Sequence, residues 1–209
     1  MSQSKGTSSK SFLGATGQQK SGGSASGTAL SNAKKIQREN ALKIKQMQEE
    51  ALSALPERKL YIALWIRDDP PQTSDFHWGF YHHLVDLDGT KYHLRNLGSG
   101  WITDHGESRG LFKSQLLCVV IEIGSIPEDK EKLLDQIMRT YDHSANDIPN
   151  VTCRVWIFIT LQLLVQNGLL KCDDLEALQQ ECLDFGNHYM RSAASNDQPR
   201  PVVVSKLCS

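Results

Sequence analysis

The sequence predicts an α+β fold, because strand-like runs crowd the first half of its domain and helical runs the second. Two observations carry the strands. Residues 60–66 and 116–123 are short apolar runs rich in β-branched and aromatic side chains and bounded by turn residues. Residues 76–84 and 90–94 flank Asp86-Leu87-Asp88-Gly89, which reads as a hairpin whose Gly89 supplies a positive φ. The third observation is helical: residues 152–166 are apolar nearly all the way round, so that helix is buried on most sides.

Taken in order, residues 60–66 form a buried strand ended by Asp68-Asp69-Pro70-Pro71. The run 116–123 is the most apolar and belongs inside the sheet. A helix over 128–141 starts with Pro127 and the acids Glu128 and Asp129, which suit a helix N-terminus. The buried helix stops at Asn167-Gly168, a C-cap signal. Asp173 or Asp174 caps a last helix to about Met190, with Leu175, Leu178, Cys182, Phe185 and Tyr189 on one face.

Composition divides the 209 residues into a Ser/Gly-rich basic arm (1–31) expected to be disordered, an amphipathic helix or linker (32–57), the α+β domain (58–192) and a flexible tail (193–209). Residues 1–48 hold eight basic side chains against one acid, Glu39. The overall net of −1 therefore leaves eight negative charges on the remainder. Such an arm suits an acidic partner or simple solubility, and lacks the interleaved Arg and aromatic residues of a nucleic-acid platform. Residues 36–55 carry a narrow apolar stripe, read either as a solvated helix or as a partner-binding one. The longest apolar run, 155–165, is shorter than the about 20 residues needed to span a bilayer. A cytoplasmic or nuclear location is expected. Five cysteines without a CxxC pair argue against a disulfide framework and a zinc ribbon.

Three residues draw attention as chemistry. Cys153 opens the buried helix, where the unpaired N–H groups and the dipole favour a thiolate. His77 beside Trp78, and His93 within Tyr92-His93-Leu94, are strand histidines able to serve as its base. Each also has a plain reading: a buried cysteine is often a core residue and a strand histidine a satisfied one. The turn decides whether they meet. If Leu87-Asp88-Gly89 closes tightly, residue pairs sum to 176 and His93 faces His83; if residues 82–88 form a longer loop, pairs sum to 170 and His93 lies beside His77. His82, His83 and His105 suggest no metal site, since adjacent strand residues point to opposite faces. The four tryptophans read as core, and no Gly-rich loop opens a helix, so no cofactor is indicated.

His77-Trp78-Gly79-Phe80-Tyr81, Tyr92-His93-Leu94 and the helix-opening Cys153 resemble the circularly permuted papain-like fold of NlpC-type proteins, nearest to the lecithin:retinol acyltransferase group. Including Ile123-Gly124-Ser125 and Cys153-Arg154-Val155-Trp156, the pattern over about residues 60–187 is also similar to small uncharacterised fungal proteins. The resemblance implies His77 as base, His93 as its orienting partner, and Cys153 as a nucleophile forming a thioester. It thus implies a hydrolase or acyl/amide transferase acting on a small-molecule, peptide or acyl substrate. The alternative expectation is a catalytically inactive module serving protein interaction, because Thr152-Cys153-Arg154-Val155-Trp156 stands where the group carries Asn-Cys-Glu-His-Phe.

Overall fold

The computed structural model describes residues 25–209, with side chains from residue 30. The chain divides into two units between Asn40 and Ala41. In the first, the described residues belong to helix α1 (Ala25–Ser53), where Lys35 and Glu39 pair across one turn at 4.0 Å. Residues 25–31, expected within a disordered arm, are therefore helical; the rest of that expectation, 1–24, lies outside the described residues. The Ala, Gln, Lys and Glu content after Ser31 supports continuous helix.

The second unit is α+β, with a seven-stranded sheet. Its strands are β1 (Lys59–Ile66), β2 (Phe76–Val85), β3 (Asp88–Asn96), β4 (Trp101–Thr103), β5 (Gly106–Glu107), β6 (Leu117–Ser125) and β7 (Val202–Val204). The order is β4-β3-β2-β1-β6-β7, with β5 also on β3; β7 runs parallel to β6 and the other pairs are antiparallel. The helices are the end of α1, then α2 (Glu131–Met138), α3 (Cys153–Gln166) and α4 (Leu175–Ala194). A 3-10 turn, Glu128–Lys130, precedes α2 where one longer helix was expected.

Strand alternation divides the interior in two. Leu60, Ile62, Leu64, Ile66, Phe76, Trp78, Phe80, Tyr92 and Leu94 form one core with α3 and α4. Tyr61, Ala63, Trp65 and Tyr81 form a second, smaller core with Leu52, Leu55, Leu111 and Phe112. Covered on both faces, β1 is buried at every position after Lys59, and this explains why it reads as an unbroken apolar run.

The helix ends follow the sequence closely. Thr152 Oγ1 accepts from Val155 N–H at 3.1 Å and Asp174 Oδ1 from Ala177 N–H at 2.9 Å, as N-caps do. Gly168, at φ 68°, closes α3: its N–H reaches Val165 O and that of Leu169 reaches Leu164 O, the paired bonds of a Schellman ending.

The hairpin differs from both expected registers. Val85 pairs with Asp88, so Asp86-Leu87 is a two-residue turn, and a bulge at Leu84 shifts the ladder to His83↔Gly89 and Gly79↔His93. The positive φ falls on Asp86, at 54°. Gly89 is required for another reason: the Tyr81 ring occupies the place of a Cβ there.

The tail is also corrected. Residues 193–209 finish α4, add β7 to the sheet, and bury Arg200. Arg200 donates to the carbonyls of Ser192, Asp197 and Gln115 and to Asn196 Oδ1 at 2.7–3.3 Å, which ties the end of α4 to the loop before β6. Arg200→Ala is expected to lower the unfolding free energy by about 3 kcal/mol, because it removes a buried side chain and the four hydrogen bonds it donates. Urea titration at pH 7 checks this, and a loss within 0.5 kcal/mol, roughly the surface-substitution range, would contradict it.

Candidate functional site

The site is built on the face of β2 and β3 that looks away from α3. His77, Gly79 and Tyr81 share that face of β2, and Lys91, His93 and Arg95 share it on β3. His93 pairs directly with Gly79, so His77 is its diagonal neighbour. The missing side chain at Gly79 lets the two rings meet: a Cβ there would lie 3.0 Å from His93 Cβ and 3.2 Å from the Trp65 ring. As a result His77 Nε2 lies 2.9 Å from His93 Nδ1, and Trp65 covers both rings at centroid distances of 5.6 and 6.4 Å.

The hydrogen bonds continue outward. His93 Nε2 lies 3.0 Å from Asp104 Oδ2, which also accepts from Arg95 at 3.1 Å. Burial pushes the Asp104 pKa up, but the bonds from Arg95 and His93 outweigh it and hold the carboxyl below its usual range. The carboxylate must therefore receive a proton from His93 Nε2. Burial, then Lys91 and His77, lower His93 to about 4, and burial with Arg67, Lys91 and Arg95 lowers His77 to about 4. Both rings are neutral at pH 7. With its hydrogen on Nε2, His93 accepts at Nδ1 from His77 Nε2–H, and the lone pair at the end of this relay stands on His77 Nδ1.

His77 and His93 line a cleft of about 460 Å³ together with Trp65, Arg67, Lys91, Arg95 and Trp101. Trp65, a core residue as expected, and the partly buried Trp101 also line this cleft.

Cys153 lies elsewhere. It belongs to the core beneath the opposite face of the sheet with Trp78 and Trp156, and it borders a smaller recess of about 110 Å³ shared with Arg67, Ser74, Asp75, Phe76, Trp78, Thr152 and Arg154. Neither His77 nor His93 lines that recess. Burial raises the Cys153 thiol above its ordinary pKa despite backbone N–H groups nearby, where the helix start had suggested a thiolate. The structure therefore joins two of the three expected site residues and separates the third.

His82 and His83 point to opposite faces, as alternation requires, and both are buried. His105 stacks on Trp156 at 5.6 Å, and its Nδ1 accepts from the His93 backbone N–H at 3.2 Å. It thus braces the strand that carries His93. Among the described residues no group of three His, Cys, Asp or Glu is placed to hold a metal ion.

Sequence reasoning missed Arg67, Lys91, Arg95 and Asp104. Period two about His93 would have found Lys91 and Arg95. Nothing local marks Asp104, which the β3-β4 turn brings back to His93.

Residues 57–197 match the model of a family of unknown function, DUF6914, and the chain belongs to that family. No curated protein and no solved structure matches the chain. No helix among the described residues is long and apolar enough to cross a membrane.

Gly79→Val is expected to force the two rings apart and to cost about 2 kcal/mol through overpacking. Nitrogen-15 shifts of the imidazoles, which report the His77–His93 bond, check the first part and denaturant unfolding the second; an intact bond in the variant would contradict the role given to Gly79.

A pH dependence follows from the same burial. His77, His82 and His93 each fall from 6.5 to about 4 in the folded chain, largely through burial. Between those values the unfolded chain binds protons that the folded one refuses. Stability is therefore full above about pH 6.5 and drains away as the pH falls towards 4. Urea midpoints at pH 7, 6 and 5 should fall with a slope above one proton per molecule, and a flat profile would contradict the assignment.

Proposed function

We propose that the chain is an anion-binding module in which His77, and not Cys153, is the working side chain. The reading rests on one observation: Arg67, Lys91 and Arg95 surround the neutral His77–His93 pair in a cleft walled by two tryptophans. Arg67 is partly offset by Asp75 at 3.6 Å and Arg95 by Asp104 at 3.1 Å, whereas Lys91 has no ion-pair partner among the described residues. Its charge is available to a ligand. A volume of about 460 Å³ suits a small molecule. Two flat indole walls favour a planar group beside its carboxylate, so the ligand class is an aromatic carboxylate.

The arrangement couples binding to protons. The cations near His77 help to hold it neutral, and a bound carboxylate would offset them and return its pKa towards the ordinary range. His77 then becomes a better proton acceptor when the cleft is filled, with His93 and Asp104 fixing its tautomer.

The strand motif His77-Trp78-Gly79-Phe80-Tyr81 and the helix-opening Cys153 also support descent from the permuted papain-like fold. On this reading the frame persists without its thioester chemistry. A cysteine nucleophile needs its base within hydrogen-bond reach, and Cys153 lies under the other face of β2 from His77.

Benzoate, followed by tryptophan fluorescence, is the first probe. Saturable binding that weakens with salt is expected, while benzamidine should not bind. Lys91→Ala should weaken benzoate about tenfold, roughly 1.4 kcal/mol, and Cys153→Ser should leave it unchanged. Calorimetry at pH 5.5 in buffers of different ionisation enthalpy should show proton uptake on binding. Absence of saturable benzoate binding overturns the proposal, as does loss of binding in Cys153→Ser with Lys91→Ala intact, an outcome that would favour a thiol-centred site.

A further inference from the structure

Far from the cleft, the residues after β7 run antiparallel to the segment joining α3 to α4. Lys171 and Ser209 exchange both of their backbone hydrogen bonds, each 3.0 Å. The next pair along is Cys172 opposite Cys208. A pair beside a doubly bonded one is non-hydrogen-bonded, with Cα atoms about 4.5 Å apart and side chains leaving on the same side. That falls inside the roughly 4.4–6.8 Å that a disulfide spans. Both residues are free thiols.

Their pairing and the exposure of Cys208 distinguish them from the other cysteines. Cys118, Cys153, Cys172 and Cys182 are all buried in one core. Cys208 is partly exposed and stands directly opposite Cys172, whose sulfur lies 3.9 Å from Asp174 O. An oxidant in solvent therefore reaches Cys208 first, with Cys172 already in place as the second sulfur.

We propose that Cys172 and Cys208 form a modification site, closing to an intramolecular disulfide in the presence of a small-molecule disulfide such as oxidised glutathione. The Cys208 thiolate attacks one glutathione sulfur, forming a mixed disulfide and expelling glutathione thiolate, which takes the released proton. The Cys172 thiolate then attacks the Cys208 sulfur and expels the second glutathione. Two protein thiols are oxidised, and one glutathione disulfide is reduced to two thiols. Burial raises the Cys208 thiol, so closure is slow near neutral pH and speeds up as the pH rises.

The bond would fasten an edge of the sheet. β7 meets β6 through three residue pairs, and beyond it Ser205 Oγ and Lys206 N–H donate to Glu181 at 2.6 and 2.9 Å. A covalent ring over residues 172–208 encloses α4 and β7 together and restricts the unfolded chain. None of this depends on the ligand of the cleft.

The test incubates the full chain with excess oxidised glutathione at pH 8.5 and then reads intact mass, peptide map and melting temperature. Expected are a loss of two hydrogens without retained glutathione, a peptide joining Cys172 to Cys208, and a melting temperature raised by about 5–10 °C, reversed by dithiothreitol. Cys208→Ser should abolish all three, while Cys118→Ser retains them. No loss of two hydrogens, or a bridge that maps to Cys182, overturns the proposal.

Discussion

The strict alternation of β2 governs the rest of the structure. Trp78 and Phe80 must enter the core under α3, where they meet Phe158 and Trp156 edge to face at 5.8 and 5.7 Å. With period two, His77, Gly79 and Tyr81 are then committed to the other face. His77 therefore lines the cleft on one face, while Cys153 packs with Trp78 on the other. The separation of imidazole from thiol is thus a consequence of burying two large aromatic side chains, and undoing it would mean turning the whole strand over.

The same constraint creates the relay that the structure does contain. Strands paired at Gly79↔His93 place His77 one step diagonally away, a spacing that long or aromatic side chains can bridge when the position between them is empty. Glycine leaves it empty. The bulge at Leu84 sets this pairing by absorbing one residue near the turn, so a local irregularity in the hairpin determines which rings touch several residues away.

Much of the framework was legible in the sequence because its signals are local. Thr152, Asp174 and Gly168 announce helix ends through their own backbone bonds, and the apolar runs of β1 and β6 need no partner to be recognised. The hairpin register was not legible, since both candidate pairings satisfied the pattern of alternation and the bulge has no distinct signature in Leu84. β7 escaped notice because three valines in a polar tail acquire strand character only from the edge of β6. Asp104 escaped for a similar reason: its place depends on how β3 turns back into β4. Cys153 shows the reverse error. Its helix-start position argued for a low pKa, yet burial beneath Trp78 outweighs the backbone N–H groups and raises it.

Neutral imidazoles among cations have a further consequence for the cleft. A buried histidine pair held near pKa 4 offers one free hydrogen-bond acceptor, His77 Nδ1, without adding charge, so the positive potential at the site comes from Arg67, Lys91 and Arg95 at pH 7. Two of these are tethered to Asp75 and Asp104, and their charge is fixed in position as well as partly cancelled. Lys91 retains both its charge and its freedom. On the proposed reading, selectivity for an anion concentrates at the Lys91 ammonium group in the cleft. Were His77 and His93 cationic, repulsion among five positive groups in one cleft would strain the fold; burial prevents this by keeping the rings neutral, so the stability of the sheet and the polarity of the site depend on the same desolvation.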